Sequence, residues 1–262
     1  MSDERVRVTV TDGVADVRLA RPDKRNALDR EMFHAVLAAA DQVGADPSAR
    51  VVVLSGEGKG FCAGLDVSLF GARSGEGGDD RLRLFDEIRA VAQQVVRVWV
   101  ELPVPVIAAV HGVALGGGLQ LALGADLRIV APDAQLGALE IRWGIVPDMC
   151  GTQLLPPLVG PDVALDLMMT GRMVNGSEAL RIGLATRVAD DPYSAAHELA
   201  GELRGRNPHA LRVMKGLVRT TPTFTLEEGL RHELDATAPV FGTPNQREAV
   251  RANLEGRPPR FT

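Results

Sequence analysis

The sequence predicts an α/β fold with a helical C-terminal extension, and three observations carry that prediction. Short apolar runs alternate with amphipathic helical stretches over the first two thirds of the chain, which is the pattern of a largely parallel sheet. Two of the runs, Val51–Leu54 and Val104–Val110, are apolar almost throughout, as strands buried on both faces are. From about Asp191 onward the texture is helical. The expected organisation is a core over 1–190 and a helical region over 191–262.

Each element has its own warrant. Val6–Thr11 and Val14–Leu19 alternate around Asp12-Gly13, and an Asp-Gly pair between alternating runs signals a tight hairpin. Asp29 suits the N-cap of a helix from Arg30 to about Val43, with Met32, Phe33, Val36, Leu37, Ala40 and Val43 on one face and Gly44 ending it. The strand Val51–Leu54 leads into a glycine-rich loop over 56–78, then a helix is expected over 79–100. The strand at 104–110 is followed by Gly116–Gly118, which opens a short helix at Leu119–Leu123, and Asp126–Val130 reads as strand again. The C-terminal helices are expected at 193–205, 208–219, 226–238 and 244–255. The last starts with Thr243, Pro244 and Gln246, a capping-box pattern.

Composition removes several function classes. The 262 residues are 45% hydrophobic and 24% charged, with a formal charge of −5. That is ordinary globular composition, and the acidic balance argues against a nucleic-acid surface. Aromatics at 4% do not furnish a base-stacking platform. Cys62 and Cys150 form neither a disulfide framework nor a metal-ligand pattern, and two reduced thiols suit the cytoplasm. The chain opens without an apolar signal core, so secretion is not expected. Leu102–Ala125 is uncharged and long enough to cross a bilayer, but its prolines and glycines divide it into strand, loop and helix, so no membrane association is expected.

Two glycine-rich segments each follow an apolar strand: Gly58-Lys59-Gly60-Phe61-Cys62-Ala63-Gly64-Leu65-Asp66 and His111-Gly112-Val113-Ala114-Leu115-Gly116-Gly117-Gly118-Leu119-Gln120. Glycines at a strand end let the chain turn sharply and leave N–H groups uncovered. The second segment also opens a helix, whose first N–H groups lack intrahelical partners. Such groups suit a phosphate, or an oxygen whose charge develops during a reaction. Tight turns and close packing account for each segment equally well. Gly58, Gly60 and Ala63 also fit a dinucleotide fingerprint. The fit is poor, because the turn does not follow the first strand and more glycines, at 71, 75, 77 and 78, stand where a helix should open.

Taken in order, the motifs resemble the crotonase family, also called the enoyl-CoA hydratase/isomerase family. The resemblance runs from Arg21-Pro22 and Asn26-Ala27-Leu28 through both glycine-rich segments. It continues through Ala125-Asp126-Leu127-Arg128, Gly151-Thr152-Gln153, Thr170-Gly171-Arg172 and Glu178-Ala179 to Gln246-Arg247-Glu248. It implies a spiral of ββα units with a C-terminal helical part that packs subunits into homotrimers or dimers of trimers. It also implies acyl-CoA thioester substrates, with coenzyme A arriving as part of the substrate and no separate cofactor or metal. Position in the motifs makes the N–H groups of Leu65 and Gly117 the oxyanion-hole donors. Lys24 and Arg25 fall where the family holds the CoA phosphates and ribose, though a solvated turn explains them equally well. The Ala63 carbonyl falls where relatives meet adenine, and Ala27 and Asp66 complete the expected CoA-binding set.

The resemblance also frames the proton chemistry. Family hydratases use two glutamates; here one position holds Gln120, an amide that cannot carry protons, and the other holds Glu140. Asp148 stands where dienoyl-CoA isomerases carry a catalytic aspartate, although it would also serve as a turn residue or a cap for a helix near Gly151. Double-bond isomerisation with Glu140 as base and Asp148 as partner is therefore the leading expectation. Enoyl-CoA hydration is the alternative, and a non-catalytic CoA-binding protein is a further one. Leu82, Leu84, Phe85, Ile88 and Val91 would wall the acyl pocket or simply form a core face. His111 and Cys62 lie beside or in the active loops, where packing roles are expected for both.

Overall fold

The structure, a computed structural model, describes residues 4–69, 87, 88 and 90–262. The alternating N-terminal runs form β1 (Val6–Thr11) and β2 (Val14–Leu19), paired antiparallel through the Asp12-Gly13 turn. Both turn residues have positive φ, 50° and 82°, as the tight hairpin requires. Asp29 accepts a hydrogen bond from Met32 N at 2.8 Å and caps α1 (Arg30–Ala45). The helix runs through Gly44 instead of stopping there, and Asp46 N–H returns to Val43 O at its end. A Cβ at Gly44 would make only an ordinary contact with Leu102, at 3.5 Å, so this glycine, which costs roughly 1 kcal/mol inside a helix, does not end it.

A parallel sheet grows from the hairpin. β3 (Val51–Gly56) lies beside β2, β4 (Val106–Val110) beside β3, and later β6 (Leu127–Val130) and β9 (Arg187–Val188) extend the same edge, giving the order β1-β2-β3-β4-β6-β9. The strand expected at 104–110 starts at Val106 because Pro105 has no N–H for the ladder; its carbonyl still accepts from Val52 N. A second sheet, absent from the sequence-based expectation, joins β5 (Val113–Leu115), β7 (Gln135–Gly137) and β8 (Val174–Asn175) in that order.

The helix expected over 79–100 is described only in part: residues 87, 88 and 90–92 are helical ahead of α2 (Gln94–Glu101), and Leu82, Leu84 and Phe85 lie outside the described residues. Ile88 and Val91 pack on the core. The glycine triplet opens α3 at Gly117, two residues before the expected start, and it runs to Leu123. Next come α4 (Gly151–Leu154), α5 (Pro156–Val159), α6 (Pro161–Thr170) and α7 (Gly176–Arg181), then the C-terminal α8 (Pro192–Arg204), α9 (Pro208–Thr220), α10 (Leu226–Thr237) and α11 (Pro244–Leu254). At α11 half of the expected capping box forms: Thr243 accepts from Gln246 N, but the Gln246 side chain turns to Gly242 N.

Successive residues of the central strands feed opposite faces. Val52, Leu54 and Ala108 join Phe33, Trp99 and Leu121 in the main core. Val51, Val53, Ile107 and Ile129 pack instead on Ala196, Leu199 and Ala200 of α8. The first helix beyond residue 190 therefore belongs to the packing of the sheet. Next, α9 is anchored by Lys215, whose ammonium meets Asp126 at 2.8 Å and the carbonyls of Trp99 and Val104. The uncharged stretch at 102–125 divides among β4, β5 and α3, and among the described residues no helix is long and apolar enough to cross a membrane.

Candidate active site

Three chain segments run side by side in the same direction and end together. Residues 61–64 lie along β5: Phe61 N donates to His111 O, Cys62 N to Val113 O, and Leu115 N to Cys62 O. Strand β5 in turn pairs in parallel with β7, with Leu115 opposite Gly137 and Gly116 N donating to Gly137 O at 2.8 Å. The three segments deliver Leu65, Gly117 and Glu140 to one edge, the carboxyl ends of parallel strands, where α/β proteins build their sites.

Local sequence explains the close approach. Gly64 has φ +88°, and a Cβ there would lie 2.4 Å from Leu115 O and 3.4 Å from Gly117 N. Only glycine lets the first loop come so near the start of α3. On the other side Leu28 brackets the loop, its N–H donating to Gly64 O at 2.8 Å and its carbonyl accepting from Asp66 N at 3.0 Å. Between those bonds the N–H of Leu65 meets no backbone acceptor among the described residues. The N–H of Gly117, first in α3, meets none either. Gly117 is walled by Met149 and Leu28: a Cβ would fall 2.9 Å from Met149 Sδ and 3.2 Å from Leu28 Cδ1.

Beyond the end of β7 at Gly137, Glu140 opens a single helical turn, Glu140–Trp143, and its side chain is buried. Its Oε1 accepts from Gln120 Nε2 at 2.6 Å and lies 3.3 Å from where a Cβ on Gly116 would be. Its Oε2 is buried and has no hydrogen-bond partner among the described residues. Burial pushes the Glu140 carboxyl above the usual carboxylate range; its own main-chain N–H and the Gln120 hydrogen bond oppose that, and the nearby charge of Asp148 adds to it. Gln120, also buried, is held at its other end, where Oε1 accepts from Met149 N at 2.9 Å and Gly151 N at 2.8 Å.

The other expected site residues are placed as follows. Asp148 is exposed on the 144–150 connection, near enough to Glu140 to act on its charge. It does not cap α4, whose N-cap position is Cys150. Lys24 and Arg25 are exposed on a helical turn, with Arg25 at φ 48°. Ala63 is half-buried, its N–H donating to Arg25 O, and Ala27 is buried. Asp66 is engaged inside the protein: Oδ2 meets Arg21 Nη1 at 2.6 Å and Oδ1 accepts from Ser68 N at 2.9 Å. Burial would raise its carboxyl, but the Ser68 and Arg21 interactions outweigh that and hold it at about 2. Burial pushes the Cys62 thiol up to about 12, which leaves it no nucleophile at neutral pH. His111 Nε2 lies 3.0 Å from Gly58 O. Among the described residues no three His, Cys, Asp or Glu side chains stand together as a metal site.

The roles of two participants escape sequence reasoning. Asn26 is fully buried at φ 57° and its Nδ2 contacts the carbonyls of Glu57, Gly60 and Phe61, which ties the first loop to the β3 end. Met149 walls Gly117 through a contact across the fold, for which its flanking residues give no signal. Together the groups can polarise a carbonyl oxygen with two main-chain N–H groups and move a proton beside it with one carboxylate.

Known proteins resemble the chain over nearly its whole length. Residues 9–262 match the profile of the family described as enoyl-CoA hydratase/isomerase. A crotonyl-CoA hydratase of Syntrophomonas wolfei is 33% identical over 266 residues, covering 100% of this chain and 99% of its own. A Thermus thermophilus protein provisionally described as an enoyl-CoA hydratase is 38% identical over 251 residues, covering 95% and 97%. The crystal structure of an enoyl-CoA hydratase from Bacillus anthracis superimposes with a TM-score of 0.89 at 32% identity, covering 98% of each chain.

Proposed function

Because the chain belongs to the enoyl-CoA hydratase/isomerase family, we propose that this acyl-CoA enzyme moves the double bond of a 3-enoyl-CoA to the 2 position. The observation that carries the reading is the unequal pair facing the site: Glu140 is a carboxylate with a buried, unpartnered Oε2, while Gln120 opposite it is an amide. Isomerisation needs one base that takes a proton from C2 and returns it at C4. The thioester oxygen gathers negative charge in between, and the N–H groups of Leu65 and Gly117 would hold it. Asp148 would assist the proton's movement. Lys24, Arg25, Ala27, Ala63 and Asp66 would form the CoA end of the cleft, with no further cofactor needed.

Hydration of 2-enoyl-CoA is the second reading, favoured by the names of the relatives, which are hydratases. Incubating the purified protein separately with 3-enoyl-CoA and 2-enoyl-CoA decides between them. Fast 3-enoyl turnover that needs both Glu140 and Asp148 supports isomerisation. Fast hydration lost in Glu140→Gln and untouched in Asp148→Asn supports the second reading. Acyl-CoA binding with neither turnover would point to a non-catalytic CoA-binding protein.

The same reading includes assembly. Leu226, Leu230 and Leu234 are 79%, 53% and 74% exposed on one face of α10, and an apolar helix face of that kind suits packing between subunits. A homotrimer, or a dimer of trimers, is the proposed form.

A further inference from the structure

Gln120 is the residue whose surroundings carry furthest beyond that reading, and its role depends on Glu140 being the base. Its amide is fixed at both ends. Two main-chain donors, Met149 N and Gly151 N, face one end at 2.9 and 2.8 Å, so that end must be the oxygen. The other end is then the NH2 group, 2.6 Å from Glu140 Oε1. A side chain spent in this way has only the second hydrogen of Nε2 left for anything else.

We propose that Gln120 is a positioning residue that fixes Glu140 by Oε1 and reserves Oε2 as the atom that carries the proton, locking base and 149–151 backbone together. The lock reaches the carbonyl-binding side of the site as well. Met149, held by its N–H, lays its thioether against Gly117. One amide therefore sets both the base and the wall beside the proposed oxyanion donors.

A glutamate at this position would keep an acceptor for the two N–H groups but place a second carboxyl oxygen against Glu140 Oε1. Two carboxylates so close share a proton, and one of them then ionises only at higher pH. Among the described residues the charged group acting on Glu140 from outside its own turn is Asp148. Arg142, on the same turn, gives its Nη2 to Gly171 O instead.

The test compares wild type with Gln120→Glu and Gln120→Met. Glu140 ionisation is followed by NMR of 13C-labelled glutamate carboxyls, assigned with Glu140→Gln, and turnover of 3-enoyl-CoA is followed against pH. Gln120→Met removes a hydrogen bond that favours ionised Glu140 and Gln120→Glu sets a second carboxyl against it, so in either variant the ionisation followed at Glu140 and the acid limb of kcat should move up by about one pH unit or more. KM should change less than kcat. Gln120→Met leaves Met149 N and Gly151 N unpaired and carries the risk of unfolding; Gln120→Glu keeps them paired. A folded variant with an unmoved titration, or loss of the fold in both variants, would overturn the positioning role. A shifted titration in a protein that turns over no enoyl thioester would instead overturn the isomerase reading and leave the lock standing.

Discussion

Glu140 and Asp66 show how different surroundings turn one kind of side chain to opposite uses. Glu140 is buried, and burial lifts its carboxyl against the opposing hydrogen bond from Gln120; a lifted carboxyl is a better base near neutral pH. The rate of 3-enoyl-CoA turnover should rise with pH through a limb above the ordinary glutamate value of about 4.3. Glu140→Gln should lower kcat by about 10²- to 10⁴-fold with the fold intact by circular dichroism. Asp66, held at about 2 by Ser68 and Arg21, stabilises the fold above the unfolded value of about 3.9 and loses that contribution as pH falls toward 2. Asp66→Asn should therefore flatten the acid side of a stability–pH curve measured by urea unfolding. The identities of Glu140, Gln120 and Asp148 are legible from their motifs. That Gln120 is consumed by Glu140, Met149 and Gly151 is not, because remote segments supply its partners.

The hairpin, α1, the central strands and the C-terminal helices announce themselves through alternation, caps and helical periodicity, all of which are local. The second sheet does not, since β5, β7 and β8 have only two or three residues each, too few to show a period. Yet that sheet aligns the glycine loops with Glu140. Its dependence on close approach is testable. Gly64→Ala would push a methyl group to within 2.4 Å of Leu115 O at a backbone φ of +88°. It should separate the loops and lower turnover at least about 10²-fold, the usual cost of losing one oxyanion donor. Asn26→Ala should cost about 2–4 kcal/mol in chemical denaturation, since it strands three carbonyls that share its Nδ2 and the Arg21 N–H that its Oδ1 accepts.

At the scale of the molecule, α8 and α9 bind the C-terminal region to the sheet through the Val51, Val53 and Ile107 face and the Lys215–Asp126 pair. The change of texture near residue 191 is real in sequence, but the core continues across it, because packing partners lie far apart in the chain. Beyond α9 the apolar side of α10 is left exposed. Light scattering should give a multiple of three subunits, and Leu234→Asp should yield a smaller, still helical species. The most direct measurement follows the migration of the double bond. With 3-enoyl-CoA in D2O, wild type should form 2-enoyl-CoA rapidly, and Glu140→Gln should bind the thioester yet convert it at least about 10²-fold more slowly. Conversion that survives the substitution undiminished would contradict Glu140 as the base and, with it, the proposed chemistry of the site.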